Sequence, residues 1–147
     1  MTFRNRYGFP FTAMLIFAAL SCGHASPLSK IERVSSEQAM AAIQRGQVLL
    51  LDVRTEEEHR QRSIPGTDAL VPVQELSKAL AEKQLDHLKG KPILVYCRTG
   101  NRSLQAAGLL KEHGFEAVTE LREGIVGWIS TGFPVSSGSL PPGASRK

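Results

Sequence analysis

Hydrophobic residues come in solid blocks along this chain, separated by stretches with helical spacing. Val48-Leu49-Leu50-Leu51-Asp52-Val53 and Pro92-Ile93-Leu94-Val95-Tyr96 are continuous apolar runs, the pattern of parallel strands buried on both faces. Ile31 to Val34 fits a short edge strand, and Glu116 to Leu121 another strand. Ala69-Leu70-Val71 is a short extended piece that Pro72 limits to a strand end. Between these pieces the period changes. Ser35-Ser36-Glu37-Gln38 precedes Ala39, Met40 and Ile43, and Gly46 follows, which predicts a capped helix over about 36–45.

Thr55-Glu56-Glu57-Glu58-His59 begins a short helix with acids in its first turn, and Ile64-Pro65-Gly66 breaks it. Residues 73–88 carry Leu76, Ala79, Leu80 and Leu88 among charges, an amphipathic helix with a bend expected at Gln84-Leu85-Asp86-His87. Leu104, Ala106, Ala107, Leu109 and Leu110 predict a helix over 103–113, and Gly124 to Ile129 a last turn or two around Trp128. Strands alternating with helices define an α/β fold with a mainly parallel sheet, whose ligands bind outside the carboxyl ends of the strands.

One such end carries chemistry. Tyr96-Cys97-Arg98-Thr99-Gly100-Asn101-Arg102-Ser103 puts a cysteine after a strand, then a Gly- and Arg-containing turn, then a helix start. Backbone N–H groups of such a turn and the helix dipole supply positive potential, and the two arginines add full charges. Together they lower a thiol below its free pKa of about 8.5 and make a nucleophile. A buried structural cysteine is the plainer alternative.

Charge and targeting sharpen this picture. The 147 residues are 41% hydrophobic and 22% charged, ordinary for a soluble domain. The net charge is +4, half of it from Arg4 and Arg6, and no Lys/Arg cluster marks a nucleic-acid partner. Residues 1–25 read as a secretory signal: basic Arg4 and Arg6, an apolar core from Phe9 to Leu20, and small residues up to Gly23-His24-Ala25. The mature chain then starts at Ser26, is periplasmic or otherwise exported, and needs no membrane. An uncleaved anchor and lipid attachment at Cys22 are the lesser alternatives. With Cys22 removed, Cys97 is a single thiol in a compartment where cysteines normally pair, which favours a used thiol over an idle one.

The domain is expected over 26–134. After Phe133-Pro134 the composition turns to Ser, Gly and Pro, so 135–147 is expected to be a disordered tail. His59, His87 and His113 are scattered without metal-ligand spacing, so no metal or cofactor is expected. Asp52 and Arg54 follow a buried strand. They either support the Cys97 loop or form a structural ion pair at the strand end, the second reading being favoured.

Three segments together resemble the rhodanese homology domain. They are Leu51-Asp52-Val53-Arg54-Thr55 with Glu57-Glu58 and Ile64-Pro65-Gly66; Val95 through Ser103; and Glu123-Gly124-Ile125 with Trp128 and Gly132-Phe133-Pro134. The resemblance runs over about 31–134 and is similar to small exported single-domain rhodaneses of bacteria. Departures lie at Arg62-Ser63 where the family often has Gly-His, at His59 where it often has an aromatic, and at Arg122 or Glu123 where it often has a second Gly.

The resemblance implies a five-stranded, mainly parallel sheet with helices on both faces. It also implies thiosulfate sulfurtransferase activity through a Cys97 persulfide, with a thiol or cyanide as acceptor, and the domain is expected to be a monomer. Arg98, Thr99, Gly100, Asn101, Arg102 and Ser103 would bind the donor. Gly100 would allow the tight curvature, Asn101 a left-handed backbone, and the Thr99 and Ser103 hydroxyls would donate to the sulfur. Either Arg98 or Arg102 would grip the oxyanion. The match also implies a structural partner for Glu58, an arginine. Cys97 to Arg102 is a Cys-x4-Arg ring, one residue shorter than the Cys-x5-Arg loop of cysteine phosphatases. The other readings are a non-catalytic persulfide carrier or partner-binding module, and a thiol redox sensor or hydrolase.

Overall fold

Residues 31–141 are described by the structure, a computed structural model. The expected signal segment, Cys22 and residues 142–147 lie outside the described residues.

Five parallel strands form one sheet: β1 (Glu32–Val34), β2 (Leu49–Asp52), β3 (Ala69–Leu70), β4 (Ile93–Tyr96) and β5 (Val118–Leu121). Their order is β1-β5-β4-β2-β3. The two continuous apolar runs thus occupy the interior as β2 and β4, where burial on both faces favours apolar residues at successive positions. In β4 the side chains of Ile93, Val95 and, just beyond the strand, Cys97 enter one core, while Leu94 and Tyr96 enter the other.

Helices α3 (Val73–Ala81) and α4 (Asn101–Glu112) cover the first face through Leu76, Ala79, Leu80, Ala106, Ala107 and Leu110. Helices α1 (Ser36–Gln44) and α5 (Gly124–Ser130) cover the second through Ala39, Ile125 and Trp128. The short α2 (Glu56–Gln61) follows β2. Ser35 and Thr55 each close a capping box, with Gln38 and Glu58 respectively. Each box satisfies N–H groups that the helix itself leaves unpaired. Among the described residues no helix is long and apolar enough to cross a membrane.

Three local expectations change. The helix over 73–88 ends at Ala81, because Lys83 takes a left-handed φ of 57°, and a short 3-10 turn at Asp86–Leu88 follows. The helix after the cysteine begins at Asn101, two residues early, so Asn101 is helical and Gly100 alone carries the left-handed backbone.

The chain also stays attached beyond residue 134. Ser63 and Ser136 exchange two main-chain hydrogen bonds of 2.8 and 2.9 Å, Gly138 N–H donates to the Arg60 carbonyl at 2.8 Å, and Pro141 is buried. Composition suggested disorder here. The β2–α2 side of the domain leaves unpaired main-chain groups at Arg60 and Ser63, and the passing segment satisfies them.

Candidate active site

Cys97 stands at the carboxyl end of the central strand β4 and is 1% exposed. The loop it begins curls back on its sulfur. Gly100 N–H donates to Sγ at 3.2 Å, and the Ser103 hydroxyl lies 3.3 Å from it. Gly100 has φ of 94°, and a Cβ there would fall 2.1 Å from the Arg122 carbonyl oxygen, so both torsion and space require glycine. Burial alone would push the Cys97 thiol up. The Ser103 hydroxyl and the N–H groups of Ser103, Thr99 and Gly100 outweigh that and hold it below its ordinary value. The Thr99 hydroxyl makes no hydrogen bond to the sulfur, so of the two expected hydroxyl donors only Ser103 is in reach.

The start of α5 braces the loop from the other side. Ile125 N–H donates to the Cys97 carbonyl at 2.9 Å and Val126 N–H to the Arg98 carbonyl at 3.1 Å. Gly124 makes that approach feasible: a Cβ there would lie 2.5 Å from the Arg98 carbonyl. The Cys97 and Arg98 carbonyls are thereby tied to α5 while the Gly100 N–H serves the sulfur, which helps fix the loop's curvature.

The two arginines separate. Arg102 forms a two-pronged bond to Glu58, Nη2 to Oε1 at 2.6 Å and Nη1 to Oε2 at 2.8 Å. This is the arginine partner expected for Glu58. Arg102 holds the Glu58 carboxyl far below its usual range, at about 2. Arg98 is exposed, has no ion-pair partner among the described residues, and faces a cleft of about 660 Å³. Arg62 and Gln61 line the same cleft, with Ile125, Val126 and Ile129 as its apolar wall.

Asp52 and Arg54 do not reach the loop. Arg54 donates to both oxygens of Asp52, with Nη2 to Oδ2 at 2.6 Å and Nε to Oδ1 at 3.0 Å, and also to the Arg62 carbonyl at 2.8 Å. His59 Nδ1 sits 2.8 Å from Asp52 Oδ2. All three side chains are nearly inaccessible. Burial opposes the Asp52 charge, but the bonds from His59 and Arg54 prevail and keep its carboxyl below the ordinary value. The Arg54 guanidinium also stacks 5.3 Å from the Tyr96 ring centre, next to Cys97 in sequence. The favoured ion-pair reading therefore describes the geometry, and any support for the loop passes through Tyr96.

Sequence reasoning missed Glu120. It is fully buried on β5, its Oε1 accepts from the Ser103 hydroxyl at 2.7 Å, and its Oε2 accepts from Arg33 Nε at 2.7 Å. The only signal was an acid between apolar residues of a short strand, Val118-Thr119-Glu120-Leu121. His59, considered in sequence only as a metal ligand, is a buried partner of Asp52. Among the described residues no three His, Cys, Asp or Glu side chains are grouped to hold a metal ion.

Residues 35–131 match the rhodanese-like domain, and the chain belongs to that family. A sulfurtransferase of Allochromatium vinosum is 35% identical over 109 residues, covering 74% of this chain and 94% of that protein. The thiosulfate sulfurtransferase GlpE of Pseudoalteromonas translucida is 29% identical over 97 residues, covering 66% of this chain and 88% of its own. Among solved structures, a Rhodopseudomonas palustris protein of unknown function, described as a possible tyrosine phosphatase, superposes with a TM-score of 0.67 at 25% identity. That match covers 75% of this chain and 88% of the other.

Proposed function

We propose that this chain is a sulfurtransferase that carries sulfane sulfur as a persulfide on Cys97, with thiosulfate or a similar anion as donor. The observation that carries the reading is the sulfur itself: a buried Cys97 Sγ with the Gly100 N–H and the Ser103 hydroxyl within hydrogen-bond distance. The Cys97 thiolate attacks the outer sulfur of thiosulfate. A Cys97–sulfur bond forms, the donor's S–S bond breaks, and sulfite leaves with the electron pair. A thiolate or cyanide then attacks the outer sulfur of the persulfide and returns Cys97 as thiolate, a covalent ping-pong cycle. The resulting anionic sulfur lies where the loop's N–H groups already point, so little reorganisation is needed.

Arg98 is the donor's cation in this reading. Its planar fork suits a sulfonate-like end, and the matching fork of Arg102 is already closed on Glu58. The cleft beside Arg98 exceeds what thiosulfate fills and leaves room for a bulkier acceptor thiol.

Purified residues 26–147 should release sulfite from thiosulfate and gain the mass of one sulfur atom on Cys97. Turnover that persists in Cys97→Ser would refute the proposal. A stable persulfide with no release to any small acceptor would favour the carrier reading.

The tyrosine phosphatase description of the structural neighbour raises a second reading. Against it stand the Cys-x4-Arg ring, one residue short of a phosphate-enclosing loop, and the engagement of Arg102 by Glu58. Hydrolysis of an aryl phosphate without thiosulfate turnover would reverse that preference. We also propose export with cleavage after Ala25 and a monomeric mature form. N-terminal sequencing of the extracytoplasmic fraction and its sedimentation test both.

A further inference from the structure

Ser103 has one hydroxyl hydrogen and two acceptors. Its oxygen lies 3.3 Å from Cys97 Sγ and 2.7 Å from Glu120 Oε1. The sheet register creates this triangle. Glu120 pairs with Val95 on β4 and with Arg33 on β1. Cys97 is two residues beyond Val95, so Glu120 and Cys97 are diagonal neighbours on one face, with the first turn of α4 placing Ser103 between them.

We propose that Glu120 is a positioning residue that sets the reactivity of Cys97 by competing with its sulfur for the Ser103 hydrogen. The ionised carboxylate is the nearer acceptor, and its bond to the hydroxyl is charge-assisted. With the hydrogen turned to Glu120, the sulfur keeps its backbone donors and loses the hydroxyl. A thiolate with one fewer donor is a stronger nucleophile toward the donor and a poorer leaving group from the persulfide. Glu120 thereby favours loading of sulfur over its release. This consequence rests on the persulfide reading; the competition for the hydrogen does not.

The surrounding charges hold the arrangement in one orientation. Arg33 on β1 donates to Glu120 Oε2, Arg122 after β5 donates to the Arg33 carbonyl, and Arg102 on α4 is turned to Glu58. Guanidinium groups only donate, so none offers Ser103 another acceptor. In Glu120→Gln the Arg33 donor faces the carboxamide oxygen. The amide N–H₂ then points at Ser103, and the hydroxyl hydrogen turns to the sulfur.

The test is the pH midpoint of Cys97 thiolate formation, followed by ultraviolet absorbance and by iodoacetamide alkylation, in the mature chain, residues 26–147. Sulfur transfer is not involved, so the result stands whether or not the chain turns over thiosulfate. Glu120→Gln should lower the midpoint by about one unit, a tenfold change in the thiolate-to-thiol ratio. At least half of that shift should vanish when the same substitution is made in Ser103→Ala. An unchanged or raised midpoint, or a shift that survives mostly intact without the hydroxyl, overturns the proposal. Should Glu120→Gln fail to fold, Ser103→Ala alone decides. It should raise the midpoint by no more than a few tenths of a unit, because Glu120 takes most of the hydrogen that the sulfur would otherwise hold, and a rise of about one unit would overturn the proposal.

Discussion

Two carboxylates are buried in this sheet, one on each face, and they are used differently. Asp52 shares the face of Leu50 and Tyr96, and every donor around it is committed: Arg54 through side chain and main chain, and His59. Glu120 shares the face of Val95 and Cys97, and one of its two bonded donors is also within reach of the nucleophile. Burial and charge are the same in both. The difference lies in the hydrogen count, and a contested hydrogen is what turns a structural acid into one that can adjust chemistry.

The largest effect that could break this contrast is on the Asp52 side. Asp52→Asn leaves the Arg54 cation buried without its counter-charge and should cost about 3 kcal/mol of stability in denaturant unfolding. The alkylation midpoint of Cys97 should hardly move. A stable variant with a shifted midpoint would mean that Asp52 belongs to the site.

Arg98→Ala comes next. If Arg98 grips the donor, KM for thiosulfate should rise about tenfold, the effect of losing one charge-assisted pair. The unfolding midpoint should stay put, since Arg98 has no ion-pair partner among the described residues. A larger loss in Arg102→Ala, without unfolding, would move the donor's cation to Arg102.

The Glu58–Arg102 fork makes a pH-dependent contribution of known sign. The Glu58 carboxyl lies at about 2 in the fold and at 4.5 ordinarily. Its stabilisation is therefore complete above about pH 4.5 and is lost as pH falls toward about 2. The unfolding midpoints of the native chain and Glu58→Gln should converge across that window. Parallel curves would show the fork to be idle.

The smallest effect concerns the tail. Truncation after Val135 removes the three main-chain bonds made by Ser136 and Gly138, each worth about 0.5 kcal/mol net at this exposed edge. It should lower the melting temperature by roughly 5 °C. An unchanged melting temperature would show that this segment rests on the domain without stabilising it.

The sequence by itself determined the parallel sheet, the strand–turn–helix at Cys97 and a tight turn at Gly100. Those follow from local rules: a doubly buried strand is mainly a run of apolar residues, a helix repeats every 3.6 residues, and a tight turn selects residues free to bend. It also suggested Glu58 with an arginine and Asp52 with Arg54, because their residues stand close together or in recognisable segments. Only the tertiary structure decided that Arg102 belongs to Glu58 while Arg98 faces the cleft, and that Ser136 closes on Ser63 across 73 residues. It alone brought Arg33, Glu120 and Cys97 onto one face. Neighbours in this sheet are set by the order β1-β5-β4, which depends on how the helices pack the whole core. No short window of sequence contains that order, so the glutamate in β5 gave no sign of what it would meet.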